Sequence, residues 1–301
     1  MSDPWEPEWD VSPSLVGELL AEQFPEVARE RIRLLGVGWD NVVYLVGDAW
    51  VFRFPRREIA LAGVAREIDV LPGLAPSLPL PIPVPELVGT ATGRFPRPWW
   101  GGRLVPGREL ADAAVPEGSR EELGVQVGRF LAALHATPPA PGLPADPMGR
   151  GDARKRAAMA RRTLGSPAVR GVYEADSSIE DLLAAGESHP GGGARTVLSH
   201  GDLHLRHLLV GSDGTAAGVI DWGDLCVASP AVDLSLAYAG FTGTARAALL
   251  AEYGPLTEDE ETTARVLALY LCVTLAGYAE ATQRHALLEE AIAGIGRSVT
   301  A

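Results

Sequence analysis

The sequence predicts an α+β protein of two lobes: a small N-terminal antiparallel β-lobe carrying one helix, and a larger, mostly helical C-terminal lobe. Three observations predict it. Three short apolar runs between residues 31 and 54 are separated by turn signals, apolar spacing switches to long helices after residue 108, and Pro106-Gly107 stands between as a hinge. The expected boundary therefore divides 1–105 from 106–301, and a 301-residue chain that is 47% apolar can build a core in each part.

In chain order, Ser12 or Ser14 caps a short helix that runs to Phe24. Runs 31–37, 41–46 and 50–54, joined by Gly38-Trp39-Asp40 and Gly47-Asp48, form an antiparallel meander. Residues 57–71 place Ile59, Leu61, Val64, Ile68 and Leu71 at helical spacing, and Pro72 and Gly73 are expected to end that helix. Alternating prolines over 80–85 exclude helix and lead to strands at 86–89 and 99–105. Helices follow at 119–137, 152–163, 177–186 and 231–241, with two or three more to the end, and the proline-dense stretch 137–149 reads as a loop. Short strands interrupt them near Val197, at 208–210 and at 217–220.

Twenty-six basic against 39 acidic residues give a net charge of −13, which argues against a nucleic-acid partner and fits a neutral or cationic one. Cys226 and Cys272 are the only cysteines and stand in no metal-type spacing, so a reducing, cytoplasmic setting without disulfides is expected. The acidic, Trp-rich start lacks the pattern of a signal peptide. The apolar run 266–279 is read as a buried helix too short to span a bilayer, so no membrane partner is expected.

Chemistry concentrates in 198–233. His200-Gly201-Asp202 puts a carboxylate just after a strand, Gly214 turns a hairpin, and the returning strand delivers Asp221, so that two acids and His207 can meet in one small volume. Such a group suits phosphoryl transfer, in which one carboxylate orients a hydroxyl and takes its proton while other ligands hold a divalent ion against the phosphates. The string His200, Asp202, His204, His207 also has the spacing of a zinc hydrolase, although such hydrolases lack the later Ile220-Asp221-Trp222-Gly223-Asp224 strand and the preceding β-lobe.

The loop 200–207, reading HGDLHLRH, together with IDWGD at 220–224, resembles the aminoglycoside and macrolide phosphotransferase family, whose fold is protein-kinase-like and whose loop reads HGDxHxxN. The resemblance covers nearly the whole chain. It implies ATP or GTP as co-substrate with Mg²⁺, or else Mn²⁺, as the ion, Asp202 as catalytic base, and Asp221 and His207 as metal ligands. His207 takes the place of the family's metal-binding asparagine; Mg²⁺ prefers oxygen there and Mn²⁺ accepts nitrogen more readily. His200 and His204 would hold the loop, and Asp233 would brace it from the next helix.

In the N-terminal lobe the resemblance assigns Gly36 and Gly38 to the phosphate-covering loop. Arg53 falls where the family has a lysine on the α- and β-phosphates, with Glu67 as its partner, and arginine keeps the charge with a forked geometry. The backbone of Arg103, Leu104 and Val105 would meet the nucleotide base near the hinge. The implied acceptor is a hydroxyl of a small molecule, probed by acids at Glu174, Asp176, Glu180, Asp181 and 258–261 that suit the ammonium groups of an amino sugar. A metabolic kinase for an amino alcohol or sugar shares these motifs. Arg53 and His207 also suggest a nucleotide-binding protein without turnover.

Overall fold

The structure, a computed structural model, describes residues 7–166, 169, 177–191 and 195–300. Glu174 and Asp176 lie outside the described residues. Two compact units are present, one formed by Met1–Pro76 with Pro81–Val105 and the other by Ser77–Leu80 with Pro106–Ala301.

The first unit opens with α1 (Pro13–Gln23), whose N-cap Ser12 accepts the Leu15 N–H at 3.3 Å and whose first helical residue is a proline. A five-stranded antiparallel sheet follows, built from β1 (Ile32–Val37), β2 (Asn41–Val46), β3 (Trp50–Pro55), β4 (Leu87–Gly89) and β5 (Trp99–Arg103) in the order β1-β2-β3-β5-β4. Its buried face carries Val42, Tyr44, Val46, Phe52, Phe54 and Trp99 against Val16, Leu19 and Leu20 of α1. Glycine makes room for these rings: a Cβ at Gly89 would stand 2.0 Å from the Trp99 ring, and one at Gly101 would stand 2.2 Å from Phe52.

In this unit two elements depart from the sequence expectation by more than one residue. Strand β5 stops at Arg103, and the Leu104 N–H still reaches Ala49 O at 2.8 Å before Pro106, which has no donor to offer. Helix α2 (Leu61–Leu74) begins after a 3₁₀ turn at Glu58–Ala60 and continues through Pro72 and Gly73. A proline in the last turn removes one backbone bond where helices fray anyway, and the burial of Leu71 and Leu74 holds that turn closed.

The second unit contains α3 (Leu110–Ala113), α4 (Glu121–Ala136), α5 (Ala153–Leu164), α6 (Ser177–Ser188), α7 (Ala231–Gly240), α8 (Gly243–Tyr253), α9 (Glu258–Ala281) and α10 (His285–Val299). Two small antiparallel sheets carry its loops. One is β6 (Arg108–Glu109), β8 (Leu208–Val210) and β9 (Ala216–Val219); the other pairs β7 (Val197–Ser199) with β10 (Cys226–Ala228). Strands β6 and β10 were not foreseen, being too short to carry a periodicity.

Helix α7 is buried along its whole length, so its residues have no polar stripe. Helix α9 starts at a capping box formed by Thr257 and Glu260 and is longer than the apolar run that suggested it. At 24 residues it is long and apolar enough to cross a membrane, which corrects the expectation of a segment too short to do so. Its most apolar window is 61% buried inside the protein, where Val266, Leu267, Leu269, Cys272, Val273 and Ala276 pack.

Candidate active site

Strand β7 feeds directly into His200-Gly201-Asp202. Gly201 has φ +85°, and a Cβ there would lie 2.2 Å from Asp224 O, so only glycine lets the loop lie against residue 224. Behind the loop, Asp233 in the first turn of α7 is fully buried. Its carboxylate accepts the His200 N–H at 2.8 Å, the Gly201 N–H at 3.1 Å, and His135 Nε2–H of α4 at 3.1 Å. His135 Nδ1 in turn accepts the Tyr253 hydroxyl at 2.9 Å. Burial acts to raise the Asp233 pKa, but His135 and the loop donors outweigh it and hold the group below its ordinary value.

Removing that carboxylate strands several buried donors at once. Asp233→Ala is expected to cost about 3–5 kcal/mol, the usual penalty for breaking a buried, hydrogen-bonded charge. Urea denaturation of the variant checks it; a loss under about 1 kcal/mol would contradict the bracing geometry.

The three loop histidines are distinguished by their hydrogen bonds. His200 Nδ1 accepts the Asp202 N–H at 3.2 Å and Nε2–H donates to Ile220 O at 3.0 Å, so both nitrogens tie the loop to the end of β9. Burial pushes its pKa down to about 4, leaving a neutral ring. His204 Nδ1 accepts the Arg206 N–H at 3.3 Å, which in the neutral ring leaves the proton on Nε2, 3.9 Å from Asp202 Oδ2. Burial, reinforced by His207 and Arg206, lowers the His204 pKa well below its usual value.

His207 differs. Its Nδ1–H donates to Asp202 O at 2.7 Å, which turns Nε2 toward Asp221 Oδ2 at 3.4 Å. Burial acts to lower its pKa, and the hydrogen bond and charge of Asp221 overcome that and raise it. The rings of His204 and His207 stack with centroids 3.8 Å apart.

Asp221 follows β9, whose ladder is closed by the Ile220 N–H to His207 O at 2.9 Å. Its φ is +67°, in the left-handed region that aspartate tolerates better than most side chains but still at a cost. The surrounding hairpin therefore holds a strained residue with its carboxylate beside the imidazole.

Asp202 stands between these groups. Its Oδ1 lies 2.9 Å from Arg150 Nη2, and the same nitrogen lies 2.8 Å from Asp224 Oδ2. Burial pushes the Asp202 pKa up to about 6, against the opposing charges of Arg150 and His207. Neither Arg150 nor Asp224 was picked out in the sequence. The trace is faint, one arginine between Gly149 and Gly151 after a proline-rich loop, far ahead in the chain of both carboxylate partners.

The structure thus brings together Asp202, His207 and Asp221, with His200, His204 and Asp233 packed around the same loop. One metal-capable group among the described residues is Asp202, His204 and His207, whose ligand atoms all lie within 4.8 Å of one another. It overlaps the zinc-like string. His204, however, carries its proton on the nitrogen that would have to ligate, 3.9 Å from the nearest carboxylate, whereas His207 Nε2 is turned to Asp221, and a bound ion would displace the proton that the two share.

A divalent ion suits that second arrangement. His207 Nε2 and Asp221 Oδ2 form a mixed nitrogen and oxygen pair of the kind that Mn²⁺ accepts and Mg²⁺ accepts less readily.

In the first unit, Arg53 of β3 and Glu67 of α2 are paired, Nε to Oε2 at 3.4 Å, and Glu67 is buried and also accepts the Trp100 Nε1–H at 3.1 Å. Gly36 follows a register shift in β1, and a Cβ there would meet nothing within 4 Å. The Gly38 N–H donates to Asn41 O at 2.8 Å, closing the β1–β2 turn. Arg103 is exposed, 3.6 Å from Glu86, and lies over the Trp50 ring; Leu104 is exposed and Val105 half-buried.

Several of the acids expected to meet a cation are already paired. Glu180 bonds Arg161 at 2.6 Å, Asp259 lies 3.4 Å from His189, and Glu260 bonds Arg195 at 2.9 Å. A cavity of about 470 Å³ in the second unit is lined by Asp152, Arg154, His189, Ser229, Asp259 and Glu260.

Residues 31–269 match the family model described as the phosphotransferase enzyme family. A comparison with curated proteins finds no match. Solved structures do match in fold. The GDP complex of wild-type aminoglycoside 2'-phosphotransferase-IIIa is 21% identical at a TM-score of 0.68, with 96% of this chain and 99% of that chain covered. Macrolide 2'-phosphotransferase MphH from Brachybacterium faecium, as the apoenzyme, is 23% identical at 0.60, with 94% and 97% covered. A streptomycin and ATP ternary complex of APH(2")-IIa is 17% identical at 0.58, with 94% and 99% covered. The fold is thus kinase-like, and because the family model spans most of its length the chain belongs to the phosphotransferase enzyme family.

Proposed function

We propose that the protein transfers the γ-phosphoryl group of ATP or GTP to a hydroxyl of a small molecule of the aminoglycoside or macrolide class. The observation that carries this reading is the meeting of Asp202 with the His207–Asp221 pair, 3.4 Å across, at the ends of β7, β8 and β9. Solved relatives in fold include complexes with kanamycin and GDP and with streptomycin and ATP, which supports both the nucleotide and the acceptor class.

Asp202 is the base. With its pKa raised to about 6 it is ionised at neutral pH and still basic enough to accept a proton. The acceptor hydroxyl donates to its carboxylate, the oxygen bonds to the γ-phosphorus, and the bond to the β-phosphate oxygen breaks. The proton ends on Asp202 and the nucleoside diphosphate leaves. His207 Nε2 and Asp221 Oδ2 would hold Mg²⁺ or Mn²⁺, which when bound neutralises charge on the phosphates.

Arg53, aligned by buried Glu67, supplies the cation for the α- and β-phosphates, and the planar fork of arginine suits two phosphate oxygens where lysine would offer a point charge. The setting that fits the chemistry is the cytoplasm, where nucleoside triphosphates are available and Cys226 and Cys272, both buried free thiols, stay reduced.

The test is nucleoside diphosphate release with ATP and with GTP against kanamycin, gentamicin, streptomycin and a macrolide. Acceptor-dependent release, with one phosphoryl group added to the acceptor by mass, is the expected result. Nucleotide binding with no acceptor-dependent release across the panel would favour a binding protein without turnover.

A further inference from the structure

The loop that carries Arg150 is fastened on several sides. The Asp146 carboxylate accepts the Arg150 N–H and the Gly151 N–H, each at 2.8 Å. Asp146 N–H donates to Val227 O and Val227 N–H to Pro144 O, both at 2.9 Å, joining the loop to β10. Arg156 Nη2 and Lys155 Nζ donate to Met148 O at 2.6 and 3.0 Å from the following helix. Strand β10 pairs with β7, and β7 leads into Asp202. The loop and the proposed base therefore share one two-stranded frame.

On that frame, Arg150 Nη2 sits between two carboxylates, 2.9 Å from Asp202 Oδ1 and 2.8 Å from Asp224 Oδ2. Its side chain is 14% exposed, so the pairing is shielded from the screening that weakens surface ion pairs. Holding one carboxylate oxygen fixes the other. With Oδ1 engaged, Oδ2, 3.9 Å from His204 Nε2, is the oxygen left to take the proton of the acceptor.

We propose that Arg150 is a positioning residue for the phosphotransfer, fixing the orientation of the Asp202 carboxylate, and that Asp224 holds the guanidinium in place for this task. The inference rests on the reading of Asp202 as base. Arg150 acts through Asp202, so its loss should lower kcat and leave acceptor and nucleotide binding nearly unchanged.

The experiment compares the wild-type enzyme with Arg150→Met, Arg150→Lys, Asp224→Asn and the double variant R150M/D224N, using the panel antibiotic that supports the fastest turnover. Arg150→Met is expected to lower kcat about 10- to 100-fold, the scale of a misplaced reacting group, with KM values within about threefold. Arg150→Lys should recover part of the loss, because an ammonium keeps the charge but not the fork. Asp224→Asn should lower kcat by itself and add nothing in the Arg150→Met background, since the two act as one unit.

A kcat within about twofold of wild type for Arg150→Met, or a loss carried by acceptor KM alone, would overturn the proposal. A crystal structure of Arg150→Met, or of Arg150→Lys if the first does not fold, gives a reading that needs no acceptor. The Asp202 carboxylate is expected to leave its present orientation, and finding it unmoved would also overturn the proposal. If Asp202→Asn retains turnover, the assignment of the base has failed; if Asp202→Asn is inactive while Arg150→Met turns over normally, only the role of Arg150 has failed.

Discussion

Asp202→Asn is expected to lower turnover by about 100- to 10,000-fold while leaving nucleotide binding nearly intact, the range over which a positioned general base acts. Asparagine is the informative replacement. It keeps the shape of the side chain and an oxygen that can accept from Arg150, and it cannot take up the proton of the acceptor hydroxyl. The backbone contacts of residue 202 are untouched, since His207 bonds its carbonyl and His200 receives its N–H. Thermal stabilisation by ATP or GTP with Mn²⁺ should therefore match the wild type, while diphosphate release with the antibiotic panel should fall by that factor. Near-normal turnover by the variant would remove Asp202 from the role of base.

Asp221→Asn is expected to have the second large effect, through the phosphates instead of the acceptor. Asparagine tolerates the left-handed backbone at this position about as well as aspartate, so the substitution removes charge without adding strain. Alanine would confound the two. Loss of the charge leaves His207 Nε2 beside a neutral amide at the 3.4 Å position and the phosphates without one of their two proposed cation ligands. The expected outcome is a kcat/KM lower by several kcal/mol of transition-state stabilisation, and a nucleotide-induced rise in Tm that no longer depends on Mn²⁺ or Mg²⁺. A variant whose nucleotide stabilisation still responds to added Mn²⁺ as the wild type does would place the ion elsewhere.

Much of this site was legible in the sequence because it is local. Asp202, His207 and Asp221 lie within twenty residues on one loop and one hairpin, so strand and turn signals alone bring them together. The β-lobe was legible for the same reason, with Gly38-Trp39-Asp40 and Gly47-Asp48 marking turns between β1, β2 and β3. The pairing of Arg53 with Glu67 needed the family resemblance, since one residue is on a strand and the other on a helix. Arg150 was not legible. Its partners Asp202 and Asp224 are far along the chain, and the loop that holds it is positioned by β10, a strand of three residues with no periodicity to detect.

Other misses have equally physical causes. In sequence Pro72 is a stop signal, but a proline in the last turn of α2 forfeits a single bond while Leu74 remains buried, so packing outweighs the local rule. The length of α9 was underestimated because its first turn is four consecutive acids, Glu258 to Glu261, which an apolar window excludes but which favour a helix N-terminus. In sequence His135 is one more residue of the helix expected over 119–137. Only the fold shows that it faces Asp233, with Tyr253 on its other nitrogen.

The most direct measurement is the position of Mn²⁺, by anomalous diffraction from crystals grown with the ion and a non-hydrolysable ATP or GTP analogue. The expected peak lies at the His207 Nε2 and Asp221 Oδ2 pair, with the Asp202 carboxylate turned to the acceptor side and bound to no metal. A peak held instead by Asp202, His204 and His207, with Asp221 uninvolved, would contradict the assignment of base and cation ligands and return the loop to metal-dependent hydrolysis.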